Sequence, residues 1–404
     1  MTAILAGVRV LEVAEHTFVP AASALLADWG AEVIKIEHVE RGDAMRGLAA
    51  TGVVSITGDV HALLEHSNRG KKSLALDLRS PDGLDILHKL IATSDVFLTN
   101  KLPGVRGRLG INVDQVREHN PRIIYVRGTG QGERGPDADK GSYDSLAFWA
   151  RASIAKSVQR PEYELTPMPP GPGFGDSLGA MAIAGGIMGA LFHRERTGEA
   201  TVVDVSLLGV GMYAQGQAIA LSLLSGQPWG APPASAMSNP LTRNYRTQDG
   251  RVLAFTCLQG AVYWAPLCEA VGRPDLAKDP RFADHTSLRE NSQAAVAELD
   301  AVFAGGTLAQ WRERLDTFPG QWAVVQDTLE AANDPQSVAN GYIQECHTAS
   351  GSAFRLVAAP VQYDEKPAVP QRAPEFNEHG DEILAQLGLD EEAVLDLKIR
   401  GVVA

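Results

Sequence analysis

At 404 residues the chain is too long for one ordinary core, and two domains are the expectation. With 45% hydrophobic and 21% charged residues and no low-complexity block, the composition is globular and excludes a disordered chain. A formal net charge of −13 argues against non-specific binding to nucleic acid or to an anionic membrane surface, so any anionic ligand must meet locally concentrated basic residues.

The first part of the chain alternates strand and helix patterns. Val8–Val13 reads as a strand, and a helix follows Pro20 until Gly30 stops it. Strands are then expected at Glu32–Glu37 and Lys72–Leu78, a helix at 81–93, and a strand at Asp95–Thr99. A short helix near Val113–Glu118 leads to a strand at Arg122–Val126. Such alternation predicts an α/β domain whose mostly parallel sheet is covered on both faces. A Pro/Gly-rich loop fills 157–173, and a long helical region follows to Ser225, broken near Thr197-Gly198. After a loop from Gly226 to Pro240, a strand at Leu253–Cys257 and helices near 264–271, 288–303 and 308–316 suggest a smaller domain. The tail reads as an extended run at Phe354–Val357 and a closing helix at Asp381–Leu387. The boundaries drawn are a large domain over 1–225, a small one over 226–325, and a return to the large domain over 326–404.

The most apolar stretch, Leu178–Phe192, is shorter than the roughly 20 residues of a membrane span and contains four glycines. The start, Met1–Gly7, has no basic segment of the signal-peptide kind. Cys257, Cys268 and Cys346 form neither a CxxC nor a metal spacing. These features predict a cytoplasmic protein with free thiols, no metal site and no membrane partner.

The sharpest local feature is Gly173-Phe174-Gly175-Asp176-Ser177-Leu178-Gly179-Ala180, a glycine-rich loop ending in an Asp where a small-residue helix begins. One reading is an ordinary helix N-cap. The other is functional: a carboxylate held ionised at a positive helix end can attack a thioester while free backbone N–H groups receive the oxyanion. Gly130-Gln131-Gly132-Glu133-Arg134-Gly135 matches GxGxxG after a strand, but Pro136 and Asp137 follow instead of a helix, so a loop is the better reading. Arg69, Lys71, Lys72, Arg79, Lys101, Arg106 and Arg108 gather near strand ends and are candidates for a phosphate-bearing ligand.

The order of several further blocks resembles the class III CoA-transferases, the CaiB/BaiF family, which includes alpha-methylacyl-CoA racemase. The blocks are Gly7–Glu12, Leu26–Glu37, Gly42-Asp43 with Arg46, Asn68–Ser73 and Leu76–Leu78. Others are Pro103–Val105, Arg108–Gly110, Asn120–Arg122, Gly175–Ser177, His193–Gly198, Val203–Ser206 and Asp334–Gln336. The resemblance spans nearly the whole chain. It implies a Rossmann-like large domain built from both chain ends, a smaller α+β domain, and a homodimer of interlocked subunits. It also implies that Asp176 is the nucleophile and that coenzyme A, carried between an acyl-CoA and a small carboxylic acid, is the only cofactor-like group. The CoA-binding set it implies is Thr17, Phe18, His38, Leu76, Arg79, Asn100, Lys101, Arg108, Tyr143 and Asp144.

Three departures bear on the substrate. Glu15-His16-Thr17 stands where oxalate-handling members carry His-x-Gln, and Gly230–Ala236 lacks their glycine run. Both point away from oxalate or formate, and Thr17, Phe18 and Val19 suggest a less polar acid. Ser142-Tyr143-Asp144 replaces the Gly-His-Asp of the racemases. A phenol ordinarily titrates at about 10 and is a poor base at neutral pH, so transfer is the expected reaction, with epimerisation as the alternative. A CoA-binding scaffold without activity is the third reading, and the intact Gly-Asp-Ser block argues against it.

Overall fold

A computed structural model describes residues 3–51, 59–160, 163–230, 233 and 237–404. The chain forms two compact units: Met1–Gln159 with Leu165–Gly230 and Pro335–Ala404, and Arg160–Glu164 with Ala231–Asp334. The smaller unit runs on to Asp334, past the expected 325, and Arg251 pairs with Glu330 within it. Most of the Gly230–Ala236 loop lies outside the described residues.

The large unit is built on a six-stranded sheet of β1 (Arg9–Val13), β2 (Glu32–His38), β3 (Lys72–Leu76), β4 (Val96–Thr99), β5 (Ile124–Thr129) and β6 (Val202–Ser206). All neighbours are parallel, in the order β3-β2-β1-β4-β5-β6. Successive side chains feed two cores, as the two-residue period of a strand requires. Val10, Val33, Val96 and Ile124 face one core, and Leu11, Ile34, Phe97 and Tyr125 face the other. The first core is closed by α1 (Phe18–Asp28) and by a long helix, Phe174–Thr197; the second by α3 (Pro81–Ala92), α5 (Val113–His119) and the C-terminal helices. Between them in sequence stand α2 (Ala62–Asn68) and α4 (Pro103–Leu109).

β6 interrupts the region expected to be helical up to Ser225. Val202-Val203-Asp204-Val205 is β-branched at three of its four positions and completes the sheet beside β5. The strand expected at Arg122–Val126 begins two residues later, and a final helix at Glu391–Ile399 was not expected. After α6 (Ile154–Val158), α7 is that long helix, Phe174–Thr197, of 24 residues, more than the fifteen-residue apolar stretch suggests. Its length and composition would allow a membrane span. However, Gly179, Ala180, Ile183, Ala184 and Ile187 form a buried stripe against α1 and the sheet, which makes it a core helix.

The smaller unit holds an antiparallel sheet, β7 (Thr242–Arg246), β8 (Val252–Thr256) and β9 (Trp322–Val324), over a core of Trp264, Leu299, Phe303 and Trp311. A hairpin, β10 (Ile343–His347) and β11 (Ala353–Val357), belongs to the large unit.

A buried ionic network fastens the large unit. Glu12 on β1 accepts from Lys35 Nζ at 2.6 Å and from Lys71 Nζ at 2.7 Å, and Lys35 also lies 2.7 Å from Asp43 Oδ2. Glu37 accepts from Arg46 and, at 2.6 Å, from Ser73 Oγ. Burial alone would raise the Glu12, Glu37 and Asp43 carboxyls. Their cations outweigh it and hold all three below the usual range. A buried ion pair that loses one partner strands a charge, which costs about 3–5 kcal/mol. Lys35→Met is therefore expected to lower the unfolding free energy by roughly that amount in urea titrations at pH 7. A loss below about 1 kcal/mol would contradict the role given to the network.

Candidate active site

The strand order puts a topological switch point between β1 and β4, where open α/β sheets bind ligands outside the strands' carboxyl ends. A crevice of about 250 Å³ opens there. Its walls include Glu15, His38, Arg41, Leu76, Arg79 and Lys101. Four residues of the CoA-binding set therefore meet in one place: His38, Leu76, Arg79 and Lys101. The cations are within reach of a ligand. Arg79 is paired with Asp77 at 3.0 Å but is largely exposed, and Lys101 lies 3.0 Å from Glu15 Oε1. Arg41 stands 3.7 Å from the same carboxylate.

Other predicted contacts are placed differently. Asn100 does not line the crevice. It clamps its rim, accepting from Glu15 N–H at 3.2 Å and donating to Glu15 O at 2.7 Å, which ties the end of β4 to the end of β1. Arg108 is exposed on α4. Of the basic residues grouped by sequence, four are consumed inside the protein. Arg69 pairs with Asp28, Lys71 with Glu12, Lys72 with Glu32 and Glu382, and Arg106 with Glu133. Arg69 and Lys71 are bound to buried carboxylates and Arg106 is itself buried against Glu133, so these three are structural; Lys72 is spent on two partly exposed carboxylates. The GxGxxG segment remains a loop, with Gly132 N–H bonded to Thr129 Oγ1.

Residues 15 to 17 lead from the crevice towards Asp176. Glu15 is in the crevice wall. His16 is a non-glycine residue at φ 70°, held there by its N–H bond to Asp43 Oδ1 at 2.9 Å, and its ring meets Tyr143 edge-on at 5.8 Å. Thr17 caps α1 and reaches the Gly173 loop, where a Cβ on Gly173 would stand 3.1 Å from Thr17 Cγ2. Phe18 is buried under α7, its ring so near Gly179 that a Cβ there would lie 2.3 Å away.

Asp176 is not the N-cap. Gly173, at φ 64°, caps α7, and Asp176 is the third residue of its first turn. The glycines of the motif have separate reasons: Gly173 adopts the left-handed conformation, and a Cβ at Gly175 would lie 2.4 Å from Phe148. Phe148 belongs to a π-helical segment, Ser145–Arg151, whose Phe148 and Trp149 hold Phe174 edge-on. Tyr143 and Asp144 precede that segment. Tyr143 is mostly exposed, and Asp144 Oδ2 accepts from Gly175 N–H at 3.2 Å, so one first-turn donor is already occupied. Among the described residues no side chain or backbone group donates to the Asp176 carboxylate.

The expectation of a firmly ionised carboxylate is corrected by this setting. Burial first, and then the charge of Asp144, pushes Asp176 up to about 7. A helix N-terminus typically contributes about 0.3–1 kcal/mol, less than one pKa unit, so it does not offset the desolvation. Sequence reasoning missed Glu15 and Arg41, which the carboxyl-end rule could have found, since each closely follows a strand. It also missed His66 and Ser177, which with Thr17, Leu63, Ser67, Pro172 and Gly173 line a second cavity beside Asp176. Nothing in the spacing marks His66, on a seven-residue helix.

Residues 5–380 match the profile of CoA-transferase family III. The chain is 30% identical over 404 residues to the (R)-2-hydroxy-4-methylpentanoate CoA-transferase of Clostridioides difficile, covering 99% of each. It is 29% identical to the cinnamoyl-CoA:phenyllactate CoA-transferase of Clostridium sporogenes, covering 98% of this chain and 96% of that one. The crystal structure of a CaiB/BaiF family protein from Brucella suis superposes with a TM-score of 0.82 at 26% identity, over 96% of this chain and 100% of the other.

In the free protein, the carboxyl carbon of Asp176 followed by NMR is expected to titrate near pH 7. Asp144→Asn, which removes the neighbouring charge and keeps an acceptor for Gly175 N–H, should move that midpoint down. An Asp176 midpoint in the ordinary carboxylate range, unmoved by the substitution, would refute this electrostatic picture.

Proposed function

The chain belongs to CoA-transferase family III and is a CoA-transferase, and we propose that it moves coenzyme A from an acyl-CoA to a carboxylic acid by ping-pong chemistry on Asp176. The observation that carries this reading is the Asp176 carboxylate, desolvated and without a hydrogen-bond donor among the described residues, in the first turn of a helix whose leading loop touches Thr17, two residues from Glu15 in the wall of the crevice that holds Arg41, Arg79 and Lys101. In the crevice the cations hold the phosphates of CoA, and His38 and Leu76 line its wall.

Ionised Asp176 attacks the thioester carbonyl carbon; the new C–O bond forms, the C–S bond breaks, and CoA leaves as thiolate. The thiolate then attacks the aspartyl carbonyl of the mixed anhydride, releasing the donor acid as its carboxylate and leaving an aspartyl-CoA thioester. The acceptor carboxylate attacks that thioester and expels the thiolate again. Thiolate attack on the acceptor's carbonyl forms the new acyl-CoA and returns Asp176 as carboxylate. No net proton is consumed, so the cycle needs no separate general base. The curated relatives reported above are CoA-transferases, and epimerisation, with Tyr143 in place of a histidine base, is not the reading they favour.

We also propose that the active form is a homodimer, interlocked as the family resemblance implies. Support comes from α8 (Leu207–Ala214) and α9 (Gly216–Ser225). No residue of α9 is buried, and Tyr213, Leu223 and Leu224 are each at least 80% exposed. Apolar surface so dense marks an association face. Light scattering is expected to give twice the 43.1 kDa chain mass, and a monomer at micromolar concentration would reject the dimer.

Rapid quench with an acyl-CoA, followed by mass spectrometry, should find a covalent adduct on Asp176, and Asp176→Ala should lose both adduct and turnover. Activity that survives Asp176→Ala would end the covalent reading. Initial rates against both substrates should give parallel double-reciprocal lines. Arg79→Ala and Lys101→Ala should each raise KM for acyl-CoA roughly tenfold with kcat little changed, because phosphate binding is shared by ground and transition states. If kcat fell and KM held, those cations would have to act elsewhere. As Asp176 must be ionised to attack, kcat/KM should rise with pH through about 7 and be lost below it.

A further inference from the structure

The cavity behind the Gly173 loop, about 270 Å³ in volume, is not explained by the transfer of CoA itself. It abuts the nucleophile: Gly173 is in its wall, and a Cβ on Gly173 would stand 3.8 Å from Asp176 Oδ2. Leu63 and Pro172 give it apolar sides, and Thr17, His66, Ser67 and Ser177 give it hydrogen-bonding groups. Those groups have unspent capacity. His66 Nε2 and Ser177 Oγ lie 3.4 Å apart, a weak contact somewhat longer than the roughly 2.7–3.2 Å usual between nitrogen and oxygen. Ser67 Oγ is fully buried and has no partner among the described residues. Ser67 is wholly enclosed, so His66 and Ser177, both part-buried, are the groups that a polar occupant of the cavity would meet.

We propose that this cavity receives the carbon chain of the acid, and that His66 Nε2 and Ser177 Oγ bind a hydroxyl on the carbon next to its carboxyl group, selecting 2-hydroxy acids. This rests on the CoA-transfer reading above, which places the acyl carbon at Asp176. Gly173 and Ser177 share the cavity wall and Gly173 stands beside the Asp176 carboxylate, so the first carbons of an acid bonded to that carboxylate enter the cavity where the pair lies. Burial, and then the charge of Arg69, pushes the His66 imidazole down to about 4. The neutral ring keeps one donor and one acceptor nitrogen at neutral pH, and with the serine hydroxyl it can satisfy both capacities of an alcohol. The apolar sides suit an alkyl or aryl group on that alcohol. A second carboxylate there would face a neutral ring, and none of the described residues that line the cavity is a cation, Arg69 nearby being paired with Asp28, which disfavours dicarboxylates.

The test measures the rate of Asp176 adduct formation with four thioesters: lactoyl-CoA and propanoyl-CoA, and racemic 2-hydroxy-4-methylpentanoyl-CoA and 4-methylpentanoyl-CoA. Within each pair the hydroxylated thioester is expected to react roughly ten- to a hundredfold faster, because a site built for a hydroxyl leaves its own groups unpaired when that hydroxyl is missing. Ser177→Ala and His66→Leu should each bring the ratio towards one, mainly by slowing the hydroxylated member. If His66→Leu fails to fold by circular dichroism, His66→Asn with Ser177→Ala makes the same comparison. Adducts that form with a ratio near one in the unsubstituted enzyme, or a ratio that both substitutions leave intact, would overturn the inference while the transferase reading stood. Absence of an adduct from all four would overturn both.

Discussion

The structure depends most on six charges out of water beneath the ends of β1, β2 and β3. Glu12, Lys35, Asp43, Lys71, Glu37 and Arg46 come from four separate stretches of sequence and neutralise one another over a few ångströms. Desolvation is the largest influence on every carboxylate in the group, and only mutual pairing outweighs it. Their arrangement is thus nearly all-or-none. Lys71 also donates to Pro20 O at 2.8 Å and Lys35 to Ala14 O at 2.9 Å, so the network reaches the turn between β1 and α1 as well as the strands. Asp43 then holds His16 in a left-handed conformation that a non-glycine residue adopts only under constraint. Through His16 the buried charges set where Thr17 begins α1 and where Glu15 enters the crevice. An ionic core of this kind adds little stability over an apolar one, and its contribution here is to fix the position of a turn.

The sheet architecture was legible because its signals are local. Val10 and Leu11, or Val96 and Phe97, alternate between two cores, and that doubled burial appears in sequence as runs of apolar residues between helix patterns. β6 was obscured because it joins two helices rich in small residues and is only five residues long. The blocks that carried the family resemblance were legible as blocks but not as chemistry. Glu12, Lys35 and Lys71 stand 23 and 59 residues apart in the pairs they form, and no spacing shows that they meet. The same limitation explains the basic cluster. Arg79 and Lys101 line the crevice, whereas Arg69 and Arg106 point inward to Asp28 and Glu133, and only the fold separates the two kinds. His66 was invisible for a related reason. It becomes notable only because α2 lies beside the first turn of α7.

Asp176 also differs from its sequence reading in an informative way. A helix end was expected to keep it ionised, yet burial and Asp144 work against the charge. A carboxylate stabilised by donors would be a poor nucleophile, because those interactions must be surrendered as its oxygen bonds to carbon. One that is desolvated and repelled has less to lose. On the proposed pathway each covalent state removes the charge from Asp176, and with it the repulsion from Asp144 and the cost of burial. The negative charge passes to the CoA thiolate and then to the departing carboxylate. Asp144 stays behind, bonded to Gly175 N–H, and so keeps the first turn in place whichever state Asp176 is in. The environment that makes the free carboxylate costly is therefore the one that favours the anhydride and the thioester, and a helix cap of ordinary stability in the same place would not achieve this.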